Sequence, residues 1–227
     1  FIQNRINLRK IRIWRTGNQV ANAAVVGIIP RFRMLLLSDK LLNLFPKNEL
    51  LAIVKHEAGH VMLWHTFTRL GFLTLPILAI AQEQTQLAEM PFPHLEGGLQ
   101  ELADTAIPFL PCGIYLAFLL ITLPWLSHQM EHEADIFACQ NKGLRKSEGD
   151  AESSADLKCA LLRLAALAPG NYERQSLFHP SLERRIELIE KIERSPRKID
   201  QFKRSFSRRR ILVLLCFSLT WIFMTLI

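Results

Sequence analysis

The chain has 227 residues, 49% of them hydrophobic, and its 28 Lys and Arg against 21 Asp and Glu give a formal net charge of +7. That length holds one domain of ordinary size, or a smaller domain with membrane segments. The basic surplus comes with no nucleic-acid recognition motif and little aromatic interleaving, which argues against a nucleic-acid partner. Likewise, Cys112, Cys139, Cys159 and Cys216 show no C-x-x-C spacing, which argues against a disulfide framework or a cysteine zinc site.

Residues 1–10 are polar and basic, and the chain begins at Phe1 without an initiator Met or a signal-peptide pattern, so the expectation is a processed or trimmed piece of a longer protein. From Ile11 onward, IRIWRT, VANAAVVG and RFRMLLLS read as three short strands separated by Gly17-Asn18 and by the stretch from Gly27 to Pro30. An antiparallel meander is the expectation. An edge strand of such a sheet can hold an extended peptide by backbone hydrogen bonds, or simply roof the helix that follows. Ser38 is placed to cap a short helix, DKLLNLF, and Pro46 to open the next.

That next helix, PKNELLAIVKHEAGHVMLWH, carries His56-Glu57-Ala58-Gly59-His60, of the form H-E-x-x-H. Residues four apart share a helix face, so His56 and His60 can offer imidazole nitrogens to one metal ion. Glu57 stands about 100° round the helix from His56, where it can reach water rather than the metal.

Three apolar stretches follow, around Val61–Ala81, Ala106–Leu126 and Ile211–Ile227. The second carries no charge over about the 20 residues needed to cross a bilayer. The first spans only if the H-E-x-x-H helix runs on into the membrane, with Pro76 as a kink. The intervening loop Gln82–Thr105 contains Glu83, Glu89, Glu96, Glu101 and Asp104 and no Lys or Arg. Because Lys and Arg are retained on the cytoplasmic side, the loop is expected outside and its flanks inside. Arg208-Arg209-Arg210 before the last stretch adds to that signal, with some affinity for anionic headgroups.

The second span emerges as LSHQMEHEADIFACQNKG, a continuing helix expected to end near Gly143. A polar loop, KSEGDAESSAD, leads to a helix LKCALLRLAALA capped by Ser153 or Ser154. Then comes HPSLERRIELIEKIERS, with Pro180 in its first turn and an apolar stripe of Leu182, Ile186, Ile189 and Ile192.

A catalytic zinc takes three protein ligands and keeps one position open. The best source of the third is Glu131-His132-Glu133-Ala134-Asp135, where Glu131 and Asp135 share a face with His128. One carboxylate could bind metal while the other accepts the second N–H of a ligand histidine. His132 reads as a polar helix residue turned off the Glu131 face, Glu133 as a solvated one, His65 as a structural histidine, and His94 as a residue of the outer loop.

HEAGH, two membrane segments, EHEAD and HPSLERRI, in that order, resemble the HtpX and CaaX prenyl protease 1 family of membrane zinc metallopeptidases. The likeness covers roughly residues 11–195. Asn22-Ala23 on the second strand, the run from Leu35 to His60, and His65 five residues past the second histidine agree further. The resemblance implies that His56, His60 and Glu131 bind one zinc ion per chain and that Glu57 is the catalytic base. Asp135 is implied behind a ligand histidine, His179 and Arg185 near the reacting atoms as a further metal ligand or oxyanion donor, and Asn22 and Ala23 beside the substrate. The departures are the lack of spans ahead of the first strand and a hydrophobic tail after Arg210.

The expectation is therefore a mainly α protein with a small antiparallel β-sheet, a gluzincin-like integral-membrane zinc endopeptidase with its site on the cytoplasmic side. Residues 1–60 hold the sheet and zinc helix, 61–126 a membrane hairpin with the outer loop 82–105, 127–205 a cytoplasmic helical part, and 206–227 a basic flank with a transmembrane segment. The expected partners are membrane-associated protein or peptide substrates and the lipid bilayer. The competing reading is a membrane sensor or scaffold with a structural zinc.

Overall fold

The three aliphatic runs become β1 (Lys10–Trp14), β2 (Ala23–Val26) and β3 (Met34–Ser38). The computed structural model describes residues 6–74, 109–140, 149–168, 172–195 and 199–208, with single positions at 77, 170, 211, 212 and 215. The chain divides into two units, one of residues 1–67 and 127–204, the other of 68–126 and 205–227.

The sheet is mixed, which corrects the antiparallel meander. β3 is the central strand, paired in parallel with β1 (Ile11 opposite Leu35) and antiparallel with β2 (Val25 opposite Leu35). The reason lies in the link after β1. Gly17 and Asn18 take left-handed φ values of 65° and 59°, which alone would suit a hairpin turn. Here the Asp39 carboxylate accepts from Thr16 N (3.0 Å), Thr16 Oγ1 and Asn18 N (3.2 Å). The link is thereby tied to the far end of β3, and β2 enters on the opposite edge. Between β2 and β3, Gly27 has φ +103°, and a Cβ there would stand 2.6 Å from the Phe32 carbonyl oxygen.

Hydrogen bonds led by Thr16 hold the Asp39 carboxyl down at about 2. A group depressed below its unfolded value near 3.8 contributes stability that is fully present above that value and is lost as pH falls through about 2. We therefore expect the Thr16 and Asn18 amides to lose exchange protection between pH 4 and pH 2 and not above it. Protection that is flat across that window in an amide-exchange series would contradict the anchoring.

Ser38 caps α1 (Asp39–Leu44) as expected, its Oγ accepting from Leu41 N and also from Asn22 N. Pro46 opens α2 (Lys47–Met62). The remaining named helices are α3 (Leu110–Cys139), α4 (Gly149–Leu167) and α5 (Leu182–Arg194), and residues 65–74 and 199–208 are also helical. In the first unit α2 packs on α4 and on β2, and α4 on α5. Their shared core holds Ala52, Ala138, Leu157, Leu161, Ile186 and Ile189. Each such Leu or Ile buried whole contributes about 1.5–3 kcal/mol. Glu49, in the first turn of α2, accepts both arms of Arg163 from α4 at 2.7 and 2.9 Å, which fixes the roll of α2.

Two local expectations fail. From Gly149 onward the polar stretch taken as a loop is helical, and Ser153 and Ser154 lie inside α4 instead of capping it. Both are buried: Ser153 donates to the Ala138 carbonyl (2.7 Å) and Ser154 to Glu193 (2.8 Å), so their hydroxyls join α4 to its neighbours. In α5 the cap is Ser181, accepting from Arg184 N, and Pro180 precedes the helix.

In the second unit the Phe72 and Phe118 rings stack 6.4 Å apart. Among the described residues one helix is long and apolar enough to cross a membrane, Cys112–Cys139. Only 22% of its most apolar window is buried, and Leu116, Leu120 and Ile121 are exposed, unlike a soluble core helix. The loop Gln82–Thr105, His94, Pro76, Gly143 and most of the last apolar stretch lie outside the described residues.

Candidate metal centre

α2 and α3 meet at Gly59. A Cβ there would stand 3.1 Å from the Ala134 Cα and 3.2 Å from the Phe137 Cβ, so glycine allows the two backbones this close approach. The ligand face of α2 is thereby set against the acidic face of α3. His56 Nε2 and His60 Nε2 are 3.2 Å apart, and Glu131 reaches them with Oε2 at 3.5 Å and Oε1 at 3.4 Å respectively. Four ligands at about 2.0–2.1 Å round a tetrahedral zinc are about 3.3–3.4 Å from one another. Two imidazole nitrogens and a carboxylate at that spacing fit a zinc ion.

Behind His56, Asp135 Oδ1 lies 2.9 Å from Nδ1. This contact fixes a proton on Nδ1, so that Nε2 is the nitrogen that would face a bound metal. Asp135 is fully buried and gripped by Arg185, Nε to Oδ2 at 2.9 Å and Nη2 to Oδ1 at 2.6 Å. Arg185 Nη1 also stands 3.8 Å from Glu131 Oε2.

The electrostatics follow from that packing. Burial opposes ionisation of Glu131, but hydrogen bonds from His179, His56 and His60 drive its carboxyl far below the usual range. Burial likewise opposes ionisation of Asp135, and the Arg185 charge outweighs it, holding the group at about 2. Burial and Arg185 disfavour protonated His56, yet the Asp135 and Glu131 carboxylates prevail and raise its imidazole to about 9.

Glu57 stands on the flank of α2 towards the sheet, where Val25 N donates to its Oε2 at 3.2 Å. β2 is one of the two edge strands, and its outer edge adjoins this carboxylate. Ala23 N, on the same edge, is taken by Asn22 Oδ1 (2.9 Å), and the Ala23 methyl is buried with Leu41 and Phe45. Asn22 itself is exposed.

His179 joins the cluster from the loop before α5, with Nδ1 3.2 Å from Glu131 Oε2 and an imidazole that is largely exposed. That loop is tied down by His128, which stands 2.9 Å from the Ser176 carbonyl oxygen, and by Arg184, which donates to Gln175. His128 is therefore a loop anchor, outside the metal group, and His132 also stays outside it.

Glu133 corrects the expectation of a solvated residue. It is 6% exposed, and its Oε2 lies 3.0 Å from His65 Nε2, whose Nδ1 is 2.9 Å from His60 Nδ1. No helical periodicity marks this pair. Glu133 is about 200° round α3 from Glu131, and on a continuous helix His65 would be about 140° from His60.

The profile of Peptidase family M48 matches residues 8–193 of the chain. Among solved structures, the crystal structure of S. mikatae Ste24p resembles it with a TM-score of 0.55 and 20% sequence identity, over 81% of this chain and 45% of that one. At that identity the likeness is one of fold, and this chain spans less than half the length of that structure. No curated protein matches the chain.

Proposed function

The chain belongs to peptidase family M48, and on that premise we propose that it is a zinc-dependent endopeptidase acting on protein substrates at a membrane. The observation that carries this is the His56, His60 and Glu131 triangle at zinc-ligand spacing with the Glu57 carboxylate beside it. A zinc ion held by these three residues supplies Lewis acidity, acidifying water and polarising a peptide carbonyl. Glu57 takes the proton of the attacking water at its carboxylate and delivers it to the leaving amine. Its place one residue after His56 argues against a purely structural zinc, which has no need of a base.

His179 is exposed and stands 3.2 Å from the ligand Glu131, so it suits a donor to the developing oxyanion or a further metal ligand. Arg185 is buried and committed to Asp135, and its role in this reading is to hold that carboxylate on His56. Ala23 begins the edge strand beside Glu57 and Asn22 directly precedes it, and in this reading an extended peptide pairs with that strand by backbone hydrogen bonds. Integral insertion and a cytoplasmic site are supported by the exposed apolar face of Cys112–Cys139 and by the acidic loop lacking Lys and Arg. Cysteine labelling of that loop from outside cells tests the side, and protection of the loop would reverse it.

The decisive experiment measures zinc content and casein cleavage in the detergent-purified chain. We expect a chelator to abolish cleavage and added zinc to restore it, and His56→Ala to purify without metal. Cleavage that survives complete zinc removal would overturn the assignment.

A further inference from the structure

The two metal-binding histidines are supported differently. His56 rests directly on Asp135, whereas His60 turns its other nitrogen to a second imidazole, His65, which in turn faces Glu133. Once His60 commits Nε2 to a metal, its Nδ1 carries the proton and donates. His65 Nδ1, 2.9 Å away, must then accept, so His65 carries its own proton on Nε2 and directs it at Glu133 Oε2 at 3.0 Å. Each bond dictates the tautomer of the next. His65 is 2% exposed and Glu133 6%, so water is no rival for these hydrogen bonds. The His60 and His65 rings stand with centroids 5.0 Å apart and planes at 75°, the two Nδ1 atoms being their point of contact at 2.9 Å.

The backbone is bent to make this contact. α2 ends at Met62, and Trp64 takes a left-handed φ of 59° before the helical stretch 65–74 begins. For a bulky L-residue that conformation costs about 1–2 kcal/mol. Trp64 is 64% exposed, so burial of the indole does not explain the cost. What the turn achieves is to carry His65, which a continuous helix would point elsewhere, back against His60.

We propose that Glu133 and His65 form a buried carboxylate–imidazole chain that holds His60 with Nε2 towards the metal and so sets the metal affinity of the site. This rests on the zinc reading above. His65 and Glu133 touch neither metal nor substrate and are positioning residues. Of the two carboxylates on this stretch of α3 outside the ligand set, Asp135 serves the first histidine directly and Glu133 serves the second at one remove.

The test is zinc affinity, measured by competition with a chromophoric chelator on the full-length chain in detergent, with thermal unfolding of the apoprotein as the check on folding. His65→Phe keeps the ring and removes the acceptor, and zinc should bind about 10- to 100-fold more weakly, the usual cost of losing such a partner. His65→Asn restores an oxygen acceptor for His60 Nδ1 and should recover most of that loss. If His65 merely fills space, the order reverses, because Asn leaves a polar gap where Phe does not. Glu133→Gln, nearly isosteric, should weaken zinc in the wild-type background and have no further effect on top of His65→Phe. It carries the test by itself should His65→Phe not fold.

Wild-type zinc affinity in folded Glu133→Gln and His65→Phe would overturn the proposal and leave the peptidase reading intact. Failure of the wild-type chain to bind zinc at all would overturn both.

Discussion

Glu57→Gln should purify with as much zinc as the wild type and cleave at least about 10²- to 10⁴-fold more slowly, the range that removal of a general base typically costs. The amide is nearly isosteric with the carboxylate and its oxygen can still accept from Val25 N, now at 3.2 Å from Oε2, so the edge strand and α2 should stay in place. What the amide cannot do is take a proton from water at neutral pH. Metal content by atomic absorption and cleavage under single-turnover conditions separate the two properties. Cleavage within tenfold of the wild type, with zinc bound, would remove Glu57 from the role of base. The same inactive variant, retaining its metal and its binding edge, is a suitable trap, and the proteins that copurify with it would show the substrate class.

Arg185→Ala should be the most destabilising change near the site. Its guanidinium donates twice to Asp135, which is wholly buried and ionised. Removing one member of a buried ion pair typically costs about 3–5 kcal/mol, and here the remaining carboxylate would keep only His56 Nδ1 against its buried charge. Denaturant unfolding of the apoprotein in detergent would show this as a lower midpoint with an unchanged slope. Arg185→Lys should recover only part of the loss, since an ammonium cannot reproduce the two-pronged contact. An Arg185→Ala variant of unaltered stability and lowered kcat would instead place the side chain against the substrate.

How legible all this is in the sequence depends on the range of the interaction. His56, His60, Glu131 and Asp135 are readable because each pair is one helical turn apart and helical periodicity puts both members on one face. The Ser38 cap and the Pro46 start are equally local. The mixed sheet is not readable, since Gly17-Asn18 has the chemistry of a hairpin and a carboxylate more than twenty residues later decides otherwise. Ser153 and Ser154 mislead for a related reason: a serine near a helix start signals a cap, unless burial recruits its hydroxyl for a neighbouring helix. Glu133 looks solvated because it points away from Glu131, and only the backbone turn at Trp64 supplies the buried histidine that faces it. A charged residue between two others in EHEAD, and a histidine just past the expected end of the zinc helix, were the signals available.

That turn also bears on how opening motions spread. In a continuous helix, fraying travels turn by turn, because each N–H relies on the carbonyl four residues back. Here the ladder stops: Leu63 N reaches the Gly59 carbonyl, but Trp64 N falls back to Val61, and the helix restarts at His65. Loss of order beginning within 65–74 therefore has no unbroken row of hydrogen bonds along which to reach the turns bearing His56 and His60. Amide exchange should register this as two separate cooperative blocks meeting at Trp64, with the metal-bearing block the slower to open.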